Sequence, residues 1–122
     1  MTNKEIKIAY KEYDSLDQLE LQDKELAEAA IEAMSGSYAP YSQFNVGAAI
    51  RLDDGEIIKG ANQENAAYPS GLCAERTALF YAGASRPEKA VTGIAIAASQ
   101  HGELCASPAT PCGSCRQVMA QS

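Results

Sequence analysis

Cys73-Ala74-Glu75 and Pro111-Cys112-Gly113-Ser114-Cys115 are the stretches from which the rest of the chain is best read. Each falls where a helix is expected to begin, and together they offer three thiols and one carboxylate. Three thiolates can hold one zinc ion and leave its fourth position for water, whereas a structural site closes that position with a fourth protein ligand. Glu75 follows Cys73 too closely for comfortable coordination of the same metal, but it is well placed to move a proton on water held there. Orphan N–H groups and partial positive charge at a helix N-terminus favour thiolate over thiol. On metal logic alone three readings stay open: a catalytic zinc site, a structural zinc site, and a redox pair or inert thiols.

Outward from these stretches the punctuation is clear. Tyr68-Pro69-Ser70-Gly71 breaks the chain before Cys73, and a helix is expected from about Cys73 to Ala82, anchored by Leu79 and Phe80 and ended by Gly83. Upstream, Phe44 to Leu52 alternates as a strand with Phe44, Val46, Ala48 and Ile50 on one face. Asp53-Asp54-Gly55 is a hairpin turn, and Glu56 to Ala61 is the returning strand. Asn62-Gln63-Glu64-Asn65 closes that strand with polar groups, which fits either a solvated loop or a hydrogen-bonding grip on a hydroxylated ligand. Tyr38-Ala39-Pro40-Tyr41-Ser42 reads as a turn-rich link.

Leu19, Leu26, Ala30 and Ala33 fall at helical spacing, with Ser15-Leu16-Asp17-Gln18 as a candidate capping box and Asp23 as a second candidate cap. That helix is expected to reach about Ser35, stopped by Gly36 and Pro40. Ile6, Ile8 and Tyr10 alternate as a short strand or ordered arm. Val91 to Ala98, small and apolar, suits a buried central strand. Pro108 and Pro111 shape the approach to a last helix from about Gly113, with Val118 and Met119 as its apolar residues. The order helix, strand, strand, helix, strand, helix implies an α/β layer architecture with a mixed sheet. Neither repeats nor a second domain are visible.

The totals narrow the partners. The chain has 122 residues, enough for one modest domain, and is 46% hydrophobic and 21% charged. A net charge of −6 with a pI near 4.7 disfavours a nucleic-acid partner, because a phosphate-backbone binder is usually basic. Apolar runs are too short to cross a bilayer, so no membrane partner is expected. Met1 to Glu5 lacks the apolar core of an export signal, so the four cysteines read as thiols or metal ligands and the cytoplasm as the compartment.

Four blocks, taken together, resemble the motifs of the cytidine deaminase family: Phe44-Asn45-Val46-Gly47-Ala48-Ala49, Asn62-Gln63-Glu64-Asn65-Ala66-Ala67-Tyr68, Cys73-Ala74-Glu75-Arg76-Thr77-Ala78 and Pro111-Cys112-Gly113-Ser114-Cys115-Arg116-Gln117. Singly each is weak. In order, with 35 residues (76 through 110) between the glutamate and the proline, they are highly specific. The likeness covers roughly residues 23 to 120 and implies a three-layer α/β/α fold around a mixed central sheet.

That resemblance assigns roles. Cys73, Cys112 and Cys115 match the zinc ligands of the small, homotetrameric three-cysteine branch, with one Zn2+ per subunit. Glu75 matches the proton shuttle. Asn62 and Glu64 match residues holding the ribose 3′-hydroxyl, Phe44 an aromatic packed on the pyrimidine, and the N–H of Ala74 a contact to the base carbonyl. The implied reaction is hydrolytic deamination of cytidine and 2′-deoxycytidine, releasing ammonia, in pyrimidine salvage. Water activated on zinc adds to the amine-bearing carbon while Glu75 serves in turn as base and acid. Three thiolates on a divalent ion leave a net charge of about −1, which Arg76 and Arg116 are candidates to offset from beside the ligands. Cys105 and the lone His101 are expected in the turn region before Pro108, away from the metal.

Two departures from the family pattern set further expectations. The family continues beyond its last motif with more strands and a segment that reaches a neighbouring subunit, while this chain ends at Gln121-Ser122. Either the chain is truncated there or a further tail follows; the reading is residues 1–22 as an N-terminal extension and 23–122 as a deaminase-like zinc domain whose C-terminal part is missing from this sequence, and truncation would leave an incomplete sheet edge, a poorer tetramer and activity in doubt. The rivals are a deaminase of another cytosine-containing small molecule, of the blasticidin or nucleotide type, and a zinc-stabilised binding module without catalysis.

Overall fold

Alternation of small and β-branched residues builds the centre of the molecule. The computed structural model describes residues 13, 15–67, 71–100, 103–104 and 119. Its middle strand is β1 (Phe44–Leu52), with the bounds the sequence implied. β2 (Ile57–Ala61) returns antiparallel after the Asp53-Asp54-Gly55 turn, which is closed by Gly55 N–H to Leu52 O at 2.9 Å. α2 (Ala74–Ser85) then crosses to β3 (Val91–Gln100), which pairs with the other edge of β1. A two-residue β4 (Glu103–Leu104) folds back on the end of β3, giving the order β2-β1-β3-β4.

The helices take opposite faces. Ala48, Ile50 and Leu52 of β1 and Ile58 of β2 pack with Ala74, Ala78, Leu79 and Ala82 of α2. The next residue along β1, Ala49, turns to the other side and packs with Leu26 and Ala30 of α1 (Leu21–Ala33). Ile50 and Leu52 are the largest fully buried side chains described, each contributing about 1.5–3 kcal/mol of burial. Half-buried Met119, in helical conformation, packs against the α2-side cluster.

Two glycines set how close the helices come. A Cβ on Gly60 would lie 2.5 Å from Ala78 N and 2.8 Å from Ala74 O, so the first turns of α2 rest directly on the β2 backbone. On the other face a Cβ on Gly47 would lie 2.1 Å from Ala30 O and 2.7 Å from Met34 N.

The three-layer α/β/α arrangement agrees with expectation, and several details differ. Every hydrogen-bonded pair among the described strands is antiparallel, so the sheet they form is not mixed. β2 and β3 do run parallel to each other, as a strand–helix–strand crossover leads one to expect, but β1 lies between them. The central, most buried strand is β1 rather than β3, whose residues are mostly half-buried. Ser15 makes no side-chain cap; it precedes a 3-10 turn, Leu16–Gln18. The residue before α1 is Glu20, also without a side-chain cap, and Asp23 sits inside the first turn, where its charge suits the helix dipole. A 3-10 turn, Met34–Gly36, ends the segment close to the expected stop. α2 runs through Gly83 to Ser85, and Phe80 is 48% exposed, because the core-facing Ala78 and Ala82 put it on the opposite side of the helix. β4 occupies part of the stretch read as a turn. The expected N-terminal arm and the helix from Gly113, apart from Met119, lie outside the described residues.

Candidate active site

Cys73 is the residue that caps α2, extended at φ −74° and ψ 156°, with its carbonyl accepting from the N–H and the hydroxyl of Thr77, both at 3.0 Å. Its side chain makes no cap bond and stays half-buried. Arg76 instead points its Nη2 at the Cys73 sulfur, 3.6 Å away. Ala74 is fully buried against the sheet, and Glu75, in the first turn, is 5% exposed.

A small ladder carries the polar residues to this helix tip. Gln63 and Leu72 exchange both backbone hydrogen bonds at 2.8 Å, so the segment bearing Asn62 and Glu64 lies against the residue that precedes Cys73. On its other side the same segment pairs with Tyr38: Tyr38 N–H donates to Asn62 O at 3.0 Å, and Glu64 N–H donates to Tyr38 O at 2.8 Å. With Gln63 extended between them, Asn62 and Glu64 project to one side.

Asn62 is buried, and its Oδ1 accepts from Val46 N–H at 2.9 Å and from the Ser37 hydroxyl. Its Nδ2 donates to Phe44 O at 2.9 Å. One amide N–H therefore remains for a ligand among the described residues. The Ser37 hydroxyl also lies 2.9 Å from Asn45 Oδ1. It has a single proton, so the Asn45 amide must turn its NH2 toward Ser37 for both contacts to hold.

Glu64 reaches back to the turn before β1. Its Oε1 accepts from Tyr41 N–H at 3.0 Å and Ser42 N–H at 3.2 Å, and its Oε2 accepts from the Ser42 hydroxyl. The Ser42 hydroxyl holds the Glu64 carboxyl below the usual range; the two N–H bonds add to this and partial burial opposes it. The carboxylate is thus kept as an acceptor with lone-pair capacity to spare.

Of the three thiols expected to hold zinc, Cys73 is the one described, half-buried at a helix N-terminus with a buried carboxylate in the turn that follows, and among the described residues no three His, Cys, Asp or Glu side chains gather as a metal site. The structure brings Cys73, Ala74, Glu75 and Arg76 together on one helix start, with Asn62 and Glu64 on the adjoining ladder and half-buried Phe44 at the mouth of β1. Cys112, Cys115, Arg116, Cys105 and His101 lie outside the described residues. Ser37 and Ser42 were not foreseen as site residues. The signal was present for Ser42: a serine two residues before a strand can close a turn onto the strand's N–H, and Ser42 Oγ does accept from Phe44 N–H at 3.1 Å.

Comparison with known proteins gives a consistent answer. A family model, the cytidine and deoxycytidylate deaminase zinc-binding region, matches residues 20–122. A cytidine deaminase of Halalkalibacterium halodurans is 50% identical over 96 residues, covering 79% of this chain and 68% of that protein. One from Sporosarcina psychrophila is 43% identical over 99 residues, covering 81% and 68%. The crystal structure of cytidine deaminase from Burkholderia pseudomallei superposes with a TM-score of 0.67 at 48% identity, over 78% of this chain and 72% of that one. The Mycobacterium tuberculosis enzyme gives 0.71 at 34%, over 84% and 78%. On sequence and fold alike, this chain belongs to the cytidine and deoxycytidylate deaminase family.

Proposed function

We infer that this chain is a zinc-dependent hydrolytic deaminase that converts cytidine, and 2′-deoxycytidine, to the corresponding uracil nucleoside and ammonia. One observation carries the reading: a buried carboxylate, Glu75, in the first turn of a helix whose capping residue is the thiol Cys73. Cys73, Cys112 and Cys115 would hold one zinc ion. When bound, that ion supplies Lewis acidity, lowering the pKa of water toward neutral.

The chain's own residues do the rest. Glu75 accepts a proton from the water whose oxygen adds to the amine-bearing carbon and delivers it to the neighbouring ring nitrogen; it then takes the second proton, from the new hydroxyl group, and passes it to the amine, so that the C–N bond breaks and ammonia leaves as the carbonyl forms. Its burial excludes bulk water from that exchange. Ala74 offers its N–H to the base carbonyl, and Phe44 packs on the ring. The ribose 3′-hydroxyl donates to Glu64 and accepts from the free N–H of Asn62; the complementary capacities of those two side chains support this pairing. Arg76 draws charge from the Cys73 sulfur, and Arg116 is proposed to do the same beside Cys115. A homotetramer, a cytoplasmic location and a place in pyrimidine salvage complete the reading, with residues 1–22 as an extension to the zinc domain.

Metal analysis paired with an ultraviolet assay of cytidine loss tests it. The expected result is zinc in the folded protein, turnover of cytidine, and a loss of at least about a hundredfold in kcat for Glu75→Gln with zinc retained. Zinc without turnover on any cytosine compound would leave a metal-stabilised binding module instead.

A further inference from the structure

Ser42 belongs to a stretch that reads as a plain connector, yet its hydroxyl is engaged both as acceptor and as donor. Its lone pair takes the Phe44 N–H at 3.1 Å, which turns its single proton to Glu64 Oε2. Glu64 Oε1 is meanwhile held by the N–H groups of Tyr41 and Ser42. A carboxylate offers about four lone-pair sites, so three bonds fix its plane and leave one acceptor direction open. The turn that presents these donors is built against local preference. Gln43, between Ser42 and Phe44, has φ +55°, in the left-handed region, and its N–H donates to Ala39 O at 3.0 Å. A non-glycine residue stays there only where its surroundings over-determine it, and such positions cluster at ligand clamps.

We propose that Ser42 is a positioning residue that aims the free lone pair of Glu64 at the nucleoside sugar hydroxyl and locks that aim to the backbone of Phe44, beside the base. This rests on Glu64 being the ribose grip. The Ser42 hydroxyl touches no reacting atom, so its removal should change recognition of the sugar rather than the chemical step. It follows that discrimination between nucleosides with and without a 3′-hydroxyl is set by the turn 41–44 as much as by Glu64 itself.

The test compares cytidine with 2′,3′-dideoxycytidine, which lacks the hydroxyl, in the zinc-loaded protein. Ser42→Ala should raise KM for cytidine by about tenfold, the scale of one charge-assisted hydrogen bond, while kcat holds within about twofold and KM for the dideoxy compound stays put. Ser42→Thr, which keeps the hydroxyl, should recover most of the cytidine KM. An equal rise in KM for both compounds, a fall in kcat for both, or no change in either would overturn the proposal. Glu64→Ala separates the two layers of the argument. If it too leaves the ratio of the two substrates unchanged, the ribose grip itself is refuted. If it collapses the ratio and Ser42→Ala does not, the grip stands and only the role of Ser42 falls.

Discussion

The two faces of the sheet are packed by one device and used for different ends. On each, a helix approaches a strand glycine until backbone meets backbone, Gly47 under α1 and Gly60 under α2. The α1 face buries Leu26 and Ala30 and carries none of the residues assigned to the chemistry. The α2 face buries a larger cluster, and the turn of α2 that touches Gly60 is the turn that bears Ala74, Glu75 and Arg76 behind Cys73. Close packing on the first side therefore sets stability and, through Met34, the turn that brings Ser37 to Asn62. On the second it also sets where a thiol and a carboxylate stand. The side chain that glycine lacks is, at position 60, part of the reason the site exists.

Adding that side chain on each face in turn should separate stability from function. Gly47→Ala forces a Cβ to 2.1 Å from a carbonyl oxygen and should cost more than the about 1–3 kcal/mol typical of overpacking. Zinc per folded molecule should nevertheless be kept. Gly60→Ala should cost a similar or smaller amount of stability but displace the start of α2, so that zinc content and cytidine turnover fall together. Thermal melts and metal analysis on the folded fraction distinguish the outcomes; full zinc and activity in folded Gly60→Ala would end the comparison.

Arg76→Ala sharpens the same contrast within α2. The side chain lies at the Cys73 sulfur rather than in the core, so the melting temperature should scarcely move and zinc should remain. Turnover should slow by about tenfold to a hundredfold, the range seen when a partner of a metal ligand is removed. Unchanged kcat would remove Arg76 from the account.

The smallest effect belongs to the exposed end of the α1 side, where Lys24 donates to Asp17 at 2.7 Å. The hydrogen bond from Lys24, and then its charge, lowers the Asp17 carboxyl, and the same pair raises Lys24. Asp17 thus adds stability above the ordinary carboxylate range and loses it as pH falls through its lowered value. Lys24 adds stability below the ordinary lysine range and loses it as pH rises through its raised one. Between those limits Asp17→Asn should shift the melt by an amount barely resolved, and molar salt should erase it. A shift of the same size below the carboxylate range would assign it to something other than charge.

Sequence legibility followed the range of the forces involved. β1 was readable to its bounds because alternation and an Asp-Asp-Gly turn are local. The start of α1 was not, since Ser15 and Asp23 have capping chemistry but the helix begins at Leu21 without a side-chain cap. Phe80 could have been placed outside on geometry alone, because Ala78 and Ala82, two residues to either side, both face the core, which leaves Phe80 on the opposite side of the helix. The helix-tip residues were singled out through motif resemblance, and the structure adds the contact between Arg76 and the Cys73 sulfur. The turn 38–44 looked like a connector because its meaning depends on Asn62 and Glu64, some twenty residues away, which no local pattern announces.

The reciprocal pair between Gln63 and Leu72 clasps the chain at both ends of the stretch 64–71. Whatever sequence occupies the interior of that excursion departs from and returns to points already pinned. A designer wishing to recast which nucleosides are admitted can exchange the residues after Glu64, whose own N–H and carboxylate are tied to Tyr38, Tyr41 and Ser42, with the thiol and the amide on either side of the clasp left undisturbed.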